Sequence, residues 1–599
     1  MSCPGTPVLL SLLDEHPDLL PAAPELAALD AAGRLALHDR LLPEAERWLW
    51  QAAPEEFDAR LARYQALIRE QQALIDATGG DQHHFLLAIT VADRPAHVRT
   101  CLESILRQFE LYGYGGLGSN RRAAKLTVIL AEDSREPRHR AAHRALADAF
   151  CARGLTVLHY DLPEQFALLQ AIPDTQRRQL ARLLTDQPAE RFWRKGQAAN
   201  RNLAYLKFLQ LTEDKARTLY YLVDSDQAFE VNLAGLDGER VAAPFSYFHV
   251  IDRLFRTRDI RVLTGKLVGD PPVSPAVMAA NFLDDVAAFL IEITALDPHA
   301  ACSFHGRAAP LPGEAAYHDL APLFGLGATA DHFDYRCPLA GAHDHAACLA
   351  HFAHRLDRFF FGEHLTRRTR FEYAGPLDTL TPARTVYPGN TVVNYAGLKF
   401  IIPFGHLRLR MSGPTAGRLI QAEIGARFAS ANLPMLHRRT AEDDAAEEFR
   451  PGVAADDSAI DIADEFERQF FGDLMLFSVA AWLKEHSLDE LATSPALEDA
   501  VRGVETDLLA RYAATHQAVV QRREEIARWL DDARTCDLDA ASLARIERFL
   551  AHIEANFGDA APAWVQIQSE AHRAARRAQI VDALRQYRTE RDAWDRLFS

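Results

Sequence analysis

Cysteine, positive charge and long apolar runs are all in short supply in this chain of 599 residues, and each shortage excludes something. Seven cysteines, an odd number scattered along the whole length, do not make a disulfide framework, so free thiols are expected. No uninterrupted apolar stretch reaches the roughly 20 residues that a membrane-spanning helix needs. The start carries an apolar patch from Val8 to Leu13 but no positive n-region, and it runs into Asp14-Glu15-His16-Pro17-Asp18, unlike a secretory signal. A cytoplasmic setting with no transmembrane segment is therefore expected. Lys and Arg number 66 against 83 Asp and Glu, a net charge of -17. No basic stripe interleaved with aromatics offsets that charge, so nucleic acid is not an expected partner. There is no Gly-x-Ser-x-Gly elbow and no Walker lysine loop, which argues against a serine hydrolase and an ATPase.

What is present is an ordinary globular composition, 48% hydrophobic and 25% charged, on a chain too long for one core. Residues 1–80 have helical spacing, with Leu61, Tyr64, Leu67, Ile68 and Leu74 on one face, and end at Gly79-Gly80. From residue 81 to 440 buried-strand runs alternate with helical segments: Phe85 to Val91, Leu126 to Leu130, Leu155 to Leu158, Thr218 to Val223 and Val262 to Val268. That alternation predicts an α/β domain with a mostly parallel, Rossmann-like sheet. Further strands are expected near Thr391-Val392-Val393-Asn394 and Phe400-Ile401-Ile402-Pro403. Residues 441–463 are acidic and small and read as a linker, and 464–599 read as a helical domain, with Leu508, Tyr512, Val519, Ile526 and Leu530 at near-heptad spacing.

The candidate site follows from the fourth of those runs. Asp224-Ser225-Asp226 stands directly after Thr218 to Val223, so two carboxylates at i and i+2 leave the carboxyl end of a buried strand and can aim oxygen ligands at one divalent cation. The plain alternative is a turn with solvated carboxylates. In open α/β sheets ligands gather at the carboxyl ends of strands, where Asp93, Glu132 and Asp133 are also expected. A Mg²⁺ or Mn²⁺ held there would neutralise a departing diphosphate.

In this order and on these elements, four segments resemble the GT-A fold, nucleotide-sugar-dependent glycosyltransferases of the family 2 type. Ile89 to Pro95 resembles that family's first strand and turn, Leu130-Ala131-Glu132-Asp133-Ser134 its second-strand acidic motif, Ala198 to Asn202 its "AARN" helix start, and Asp224-Ser225-Asp226 its DxD motif. The resemblance implies a metal-dependent hexosyl transfer from a UDP- or GDP-sugar donor to a hydroxyl acceptor, with Mn²⁺ or Mg²⁺ as cofactor. It implies donor contacts from Thr90, Asp93, Arg94, Glu132 or Asp133, Lys195, Arg201 and Asp224. Asp226, with Asp224, would hold the metal. His437, in Leu436 to Thr440, could add an imidazole ligand, and Arg438 or Arg439 could clamp the diphosphate. Tyr387-Pro388-Gly389-Asn390-Thr391 resembles the acceptor-side segment.

One departure stands out. Where the family carries an acidic "ED" pair that supplies the general base, this chain reads Arg408 to Thr415 without a carboxylate; Asp270 and Glu423 are the nearest substitutes. The lost pair gives weight to a non-catalytic scaffold on the same fold. Nucleotidyl transfer to a sugar phosphate is a further alternative, weakened by the lack of a glycine-rich basic loop after the first strand. His332, Cys337, His343, His345, Cys348, His351 and His354 are zinc-type ligands, but they match no knuckle spacing and read as ordinary polar and core residues. Arg367-Arg368 and Arg370 read equally as a solvated face or as a clamp, and Phe470-Phe471 as helix-packing core.

Overall fold

The computed structural model describes residues 6–19, 29–235, 238–304, 335–339, 341–387, 389–400, 403–442, 447–455, 459–534 and 538–598. Three helices come first, α1 (Pro7–Glu15), α2 (Ala31–Trp50) and α3 (Phe57–Thr78). They build a small core of their own around Leu9, Leu41, Leu49 and Leu67. The α3 helix stops at Gly79, whose φ of 66° is the left-handed cap that glycine adopts without strain.

The alternating segment then forms β1 (His84–Val91), α4 (Pro95–Tyr112), β2 (Leu126–Glu132), α5 (Pro137–Ala152), β3 (Thr156–Tyr160), α6 (Leu162–Ala171), α7 (Asp174–Gln179), α8 (Gln197–Leu211) and β4 (Thr218–Asp224). β1 and β4 are apolar without alternation because both faces of the sheet are covered. After β4 come β5 (Gln227–Ala228), the hairpin β6 (Val231–Gly235) and β7 (Gly238–Ala242), α9 (Tyr247–Thr257), β8 (Val262–Gly269) and α10 (Pro275–Thr294). Then follow α11 (His345–Arg355), β9 (Thr381–Pro382), β10 (Asn390–Val393), α12 (Ser412–Ile424) and β11 (Phe428–His437). The expected strand at 391–394 is thus β10. Phe400 and Pro403 lie outside strands, and Ile401 and Ile402 fall outside the described residues.

The main sheet runs in the order β3-β2-β1-β4-β10-β8-β11-β5, with the short β9 paired to β11. Pairings β2–β3, β1–β2, β1–β4 and β8–β11 are parallel, while β10 runs antiparallel to both neighbours. The α/β class and the mostly parallel sheet are as expected. The order itself positions the site: the chain builds outward from β1 through β2 to β3, then places β4 on the other side of β1. The carboxyl ends of β1 and β4 therefore flank the point where the winding reverses, where the outgoing loops part and leave a crevice.

Five more helices follow, α13 (Glu465–Glu485), α14 (Leu497–Ala533), α15 (Ala540–Phe557), α16 (Pro562–Gln568) and α17 (Glu570–Asp595). They share a core with the sheet domain: Phe282 of α10 stacks on Phe359 at 4.6 Å and meets Phe549 of α15 edge-on at 5.8 Å. On the opposite face Trp594 of α17 is fully buried and donates to the Leu398 carbonyl at 3.1 Å. The stretch expected as a linker contributes buried Ile460 and Ile462 to the shared core, and its strands β12 (Ala454–Ala455) and β13 (Ile460–Asp461) pair with each other. No helix among the described residues is long and apolar enough to cross a membrane.

Candidate functional site

Asp224 is the last residue of β4 and sits opposite Thr90 of β1 in the parallel register. Its Oδ1 accepts from Arg201 of α8 at 2.5 Å and from the Thr90 hydroxyl at 3.4 Å. Gly389 closes the other side: a Cβ there would stand 2.6 Å from Asp224 Oδ2 and 2.3 Å from Gln227 Nε2, so only glycine lets the loop before β10 lie against the acidic strand end. Asp226, two residues on, points to a different set of partners. Arg94 Nη1 donates to its Oδ2 at 3.1 Å, with Arg439 Nη1 at 3.7 Å and His437 Nε2 at 3.6 Å. Burial alone would raise the Asp226 carboxyl, but His437, Arg94 and Arg439 together hold it well below the usual carboxylate range.

β11 brings in the second half of the site. Arg438 N donates to the Asp226 carbonyl at 2.9 Å, so the two strand exits are tied backbone to backbone. His437 is buried, and its Nδ1–H donates to the Asp270 carbonyl at 2.7 Å, which leaves Nε2 as the nitrogen facing Asp226. Asp270 itself lies at the end of β8. Its Oδ2 accepts the Arg439 amide at 2.8 Å and its Oδ1 faces Arg368 at 3.2 Å; burial raises the carboxyl and Arg368 opposes that rise. Arg368 is thereby engaged, and Arg367 makes a two-pronged contact with Asp285 at 2.8 Å from both Nε and Nη2. Glu423, the other candidate base, is not brought here. It lies on α12 beside Arg591 of α17 at 3.3 Å and Lys399 at 3.8 Å.

The expected nucleoside side divides in two. Lys195 Nζ donates to Asp133 at 2.8 Å and to the Glu132 carbonyl at 3.0 Å, which fixes the Asp133 carboxyl next to the crevice. Burial moves both members of that pair toward their neutral forms. Glu132 and Asp93 are occupied with local structure. Glu132 is fully buried between His143 at 2.9 Å and His159 at 3.0 Å, and those hydrogen bonds overcome burial to keep it well below its ordinary value. Asp93, left-handed at φ 50°, accepts the amides of Arg135 and Glu136 at 3.1 Å and so caps the entry to α5. Two residues past Asp133 an opening of about 640 Å³ lies between α5 and α6, lined by Arg135, Phe166 and Trp193 among others. A smaller pocket of about 170 Å³ touches the acidic exit itself, lined by Asp226, Gln227, His97, Arg438 and Thr440.

Several residues of this site carry no sequence signal. Glu448 is buried with its Oε1 3.8 Å from both Arg94 and His97, and accepts the amides of Ala441 and Glu442. Glu465, at the start of α13, gathers Arg410 and Arg450 at 3.3 Å and Arg468 at 3.5 Å. Its carboxyl falls to about 2 because these arginines outweigh burial, while burial draws Arg450 down to about 9. Gly362, at φ 97°, lies beneath Arg439 and Arg450 together, so the two arginine groups are one cluster. Within it Arg94 Nε and Gln227 Oε1 are buried with no hydrogen-bond partner among the described residues. Arginines 94, 410, 438, 439, 450 and 468 thus outnumber the carboxylates 226, 270, 448 and 465, a local positive excess on an acidic protein.

No protein-family model matches the chain, and no curated protein matches it in sequence.

A divalent cation fits part of the expected ligand set. Asp226 and His437 present an oxygen and an outward-facing nitrogen 3.6 Å apart, and Mn²⁺ or Mg²⁺ needs only one or two protein ligands when phosphates and water supply the rest. Asp224 does not converge with them: among the described residues the group of three whose ligand atoms all lie within 4.8 Å of one another is Cys302, Cys337 and His343. With Arg94 and Arg439 on the same carboxylate, a doubly charged ion is favoured there only beside a polyanion that balances all three cations.

Proposed function

We propose that this protein is a glycosyltransferase of GT-A type that transfers a sugar from a nucleoside-diphosphate donor to a hydroxyl acceptor with help from Mn²⁺ or Mg²⁺. The observation that carries the reading is the acidic pair Asp224 and Asp226 at the point where the sheet reverses its winding, beside an arginine cluster and two buried polar atoms, Arg94 Nε and Gln227 Oε1, that have no hydrogen-bond partner among the described residues. The diphosphate fits against Arg94, Arg438 and Arg439, whose excess charge it balances. The nucleoside lies toward Asp133 and Lys195, and the sugar toward Asp224, which Arg201 and Gly389 hold in one orientation. When bound, the cation would neutralise charge on the departing diphosphate from Asp226 and His437. Asp270, ion-paired and buried, positions His437 through its carbonyl and the Arg439 backbone through its carboxylate.

One observation favours a second reading on the same site, donor binding without a cation: two guanidinium groups already occupy Asp226. A panel of UDP- and GDP-sugars, assayed for hydrolysis and thermal stabilisation with and without Mn²⁺, separates the two. The proposal expects Mn²⁺ to bind only when a nucleoside diphosphate is present. It also expects Asp226→Ala to lose about 10²- to 10³-fold in turnover, the usual cost of removing one stabilising group from a transition state. Failure of every nucleotide sugar to bind or to be cleaved overturns it, and so does an Asp226→Ala protein that behaves like the parent.

A further inference from the structure

Outside the crevice, a second constellation joins residues far apart in the sequence. Cys302, which follows α10, comes together with Cys337 and His343 so that two sulfurs and an imidazole nitrogen all lie within 4.8 Å of one another. Cys337 Sγ stands 3.3 Å from His343 Nε2, and His343 Nδ1–H donates to the Gly341 carbonyl at 2.9 Å. The ring's lone pair therefore faces the sulfurs. A third sulfur stands beside this group: Cys348, fully buried in the first turn of α11, interacts with the thiols of Cys302 and Cys337 but lies outside the set of ligand atoms that are all within 4.8 Å of one another.

The surrounding backbone is arranged as metal-binding turns are. Phe304 N–H is directed at Cys302 and Leu339 N–H at Cys337, each two residues after its sulfur, and such N–H donors orient a metal-bound thiolate and stabilise its charge. The ligand-bearing segments are also bonded to one another: Cys302 N donates to the His343 carbonyl at 2.9 Å and Cys337 N to the Phe304 carbonyl at 3.3 Å. His345 is excluded as a ligand, because its Nδ1 donates to the Asp297 carbonyl and its Nε2 accepts from Ser303. All three cysteines are free of disulfides.

The geometry points to a structural zinc site in which Cys302, Cys337 and His343 hold one Zn²⁺ and the neighbouring Cys348 turns in as the fourth ligand. Three sulfurs and one nitrogen are the donor set that zinc favours, and bonds of about 2.3 Å to sulfur and about 2.0 Å to nitrogen give tetrahedral edges of about 3.5 Å, close to the separation of Cys337 and His343. Four protein ligands leave no position for substrate, so the ion would be a clip. It fastens the segments carrying Cys302 and Cys337 to α11, where Phe289 meets Tyr335 and Phe352 at ring separations of 4.2 Å. The expectation that this Cys/His stretch is ordinary polar and core sequence changes for a physical reason. One ligand, Cys302, lies well before the stretch, and His332 lies outside the described residues, so no local spacing shows the site.

The test is the metal content of the purified full chain, measured by inductively coupled plasma mass spectrometry beside a thiol count. One zinc per chain is expected, lost with a strong chelator and replaceable by Co²⁺ with the thiolate charge-transfer and d–d bands of a tetrahedral site. Cys337→Ser and Cys348→Ser should each lose the zinc, while Cys151→Ser and Asp226→Ala should keep it, which separates this proposal from the glycosyltransferase reading. Should the cysteine variants fail to fold, the Co²⁺ titration of the chelated parent decides. A parent that neither contains zinc nor takes up Zn²⁺ or Co²⁺ after reduction overturns the proposal. So does a disulfide among the three cysteines found by mass spectrometry, or zinc retained in Cys348→Ser.

Discussion

Glu465 shows how much a single side chain holds together. Three arginines share its carboxylate, so Glu465→Gln strands buried positive charge and should destabilise the protein by about 3 kcal/mol at neutral pH. The pH dependence has a definite sign. A carboxyl that falls from 4.5 to about 2 on folding contributes its full stability above pH 4.5 and loses it as the medium is acidified toward 2. Thermal denaturation of parent and variant from pH 7 down to 3 should therefore show their gap in Tm closing below 4.5; a constant gap would disprove the ion-pair account. This residue was illegible in the sequence, because nothing in a Glu at a helix start reveals that Arg410 and Arg450 will fold onto it. Asp224 and Asp226 were legible, since a buried-strand run that ends in two carboxylates needs no partner to be recognised.

Among the elements, the loop into β10 makes the sharpest prediction. Gly389 has no requirement for a positive φ, so Gly389→Ala leaves the backbone acceptable and acts only by pressing a methyl group on Asp224 and Gln227. Turnover of a nucleotide sugar should fall by about 10²-fold, the cost of a misplacement of about 1 Å, while Tm changes little. A large drop in Tm would show instead that the glycine serves folding. The parallel strands β1 to β4 were legible from their apolar runs. The antiparallel strand β10, set inside the sheet between β4 and β8, was visible only as a short apolar stretch, and its direction follows from a long connection that no periodicity records. The segment 404–411 was also opaque: Phe404, Arg408 and Met411 all adopt left-handed φ of 54° to 65°, a strain held by tertiary contacts such as Arg468 Nε to the Arg408 carbonyl at 2.6 Å.

At the scale of the whole molecule, the division into an α/β domain and helical ends describes the order of elements, while the core ignores it. Phe282 packs with Phe359 and Phe549, Phe359 packs with Phe557, and Glu465 reaches across to Arg410 of the sheet domain. Residues 81–440 expressed alone should therefore be insoluble or lack a cooperative thermal transition; a soluble, cooperatively melting fragment would refute a shared core. The acidic stretch resembled a linker because composition reports solvation on average, whereas two buried isoleucines and one buried arginine are enough to fasten it. The charge distribution has its own outcome for any anion that visits. From a distance such a ligand meets the repulsive far field of a protein with a net charge of -17, and only within a Debye length, about 10 Å at 0.1 M salt, does it feel the local arginine excess. Ionic strength then acts in opposite directions on arrival and on residence: added electrolyte lowers the outer barrier and hastens encounter, and it loosens the inner grip and shortens the stay.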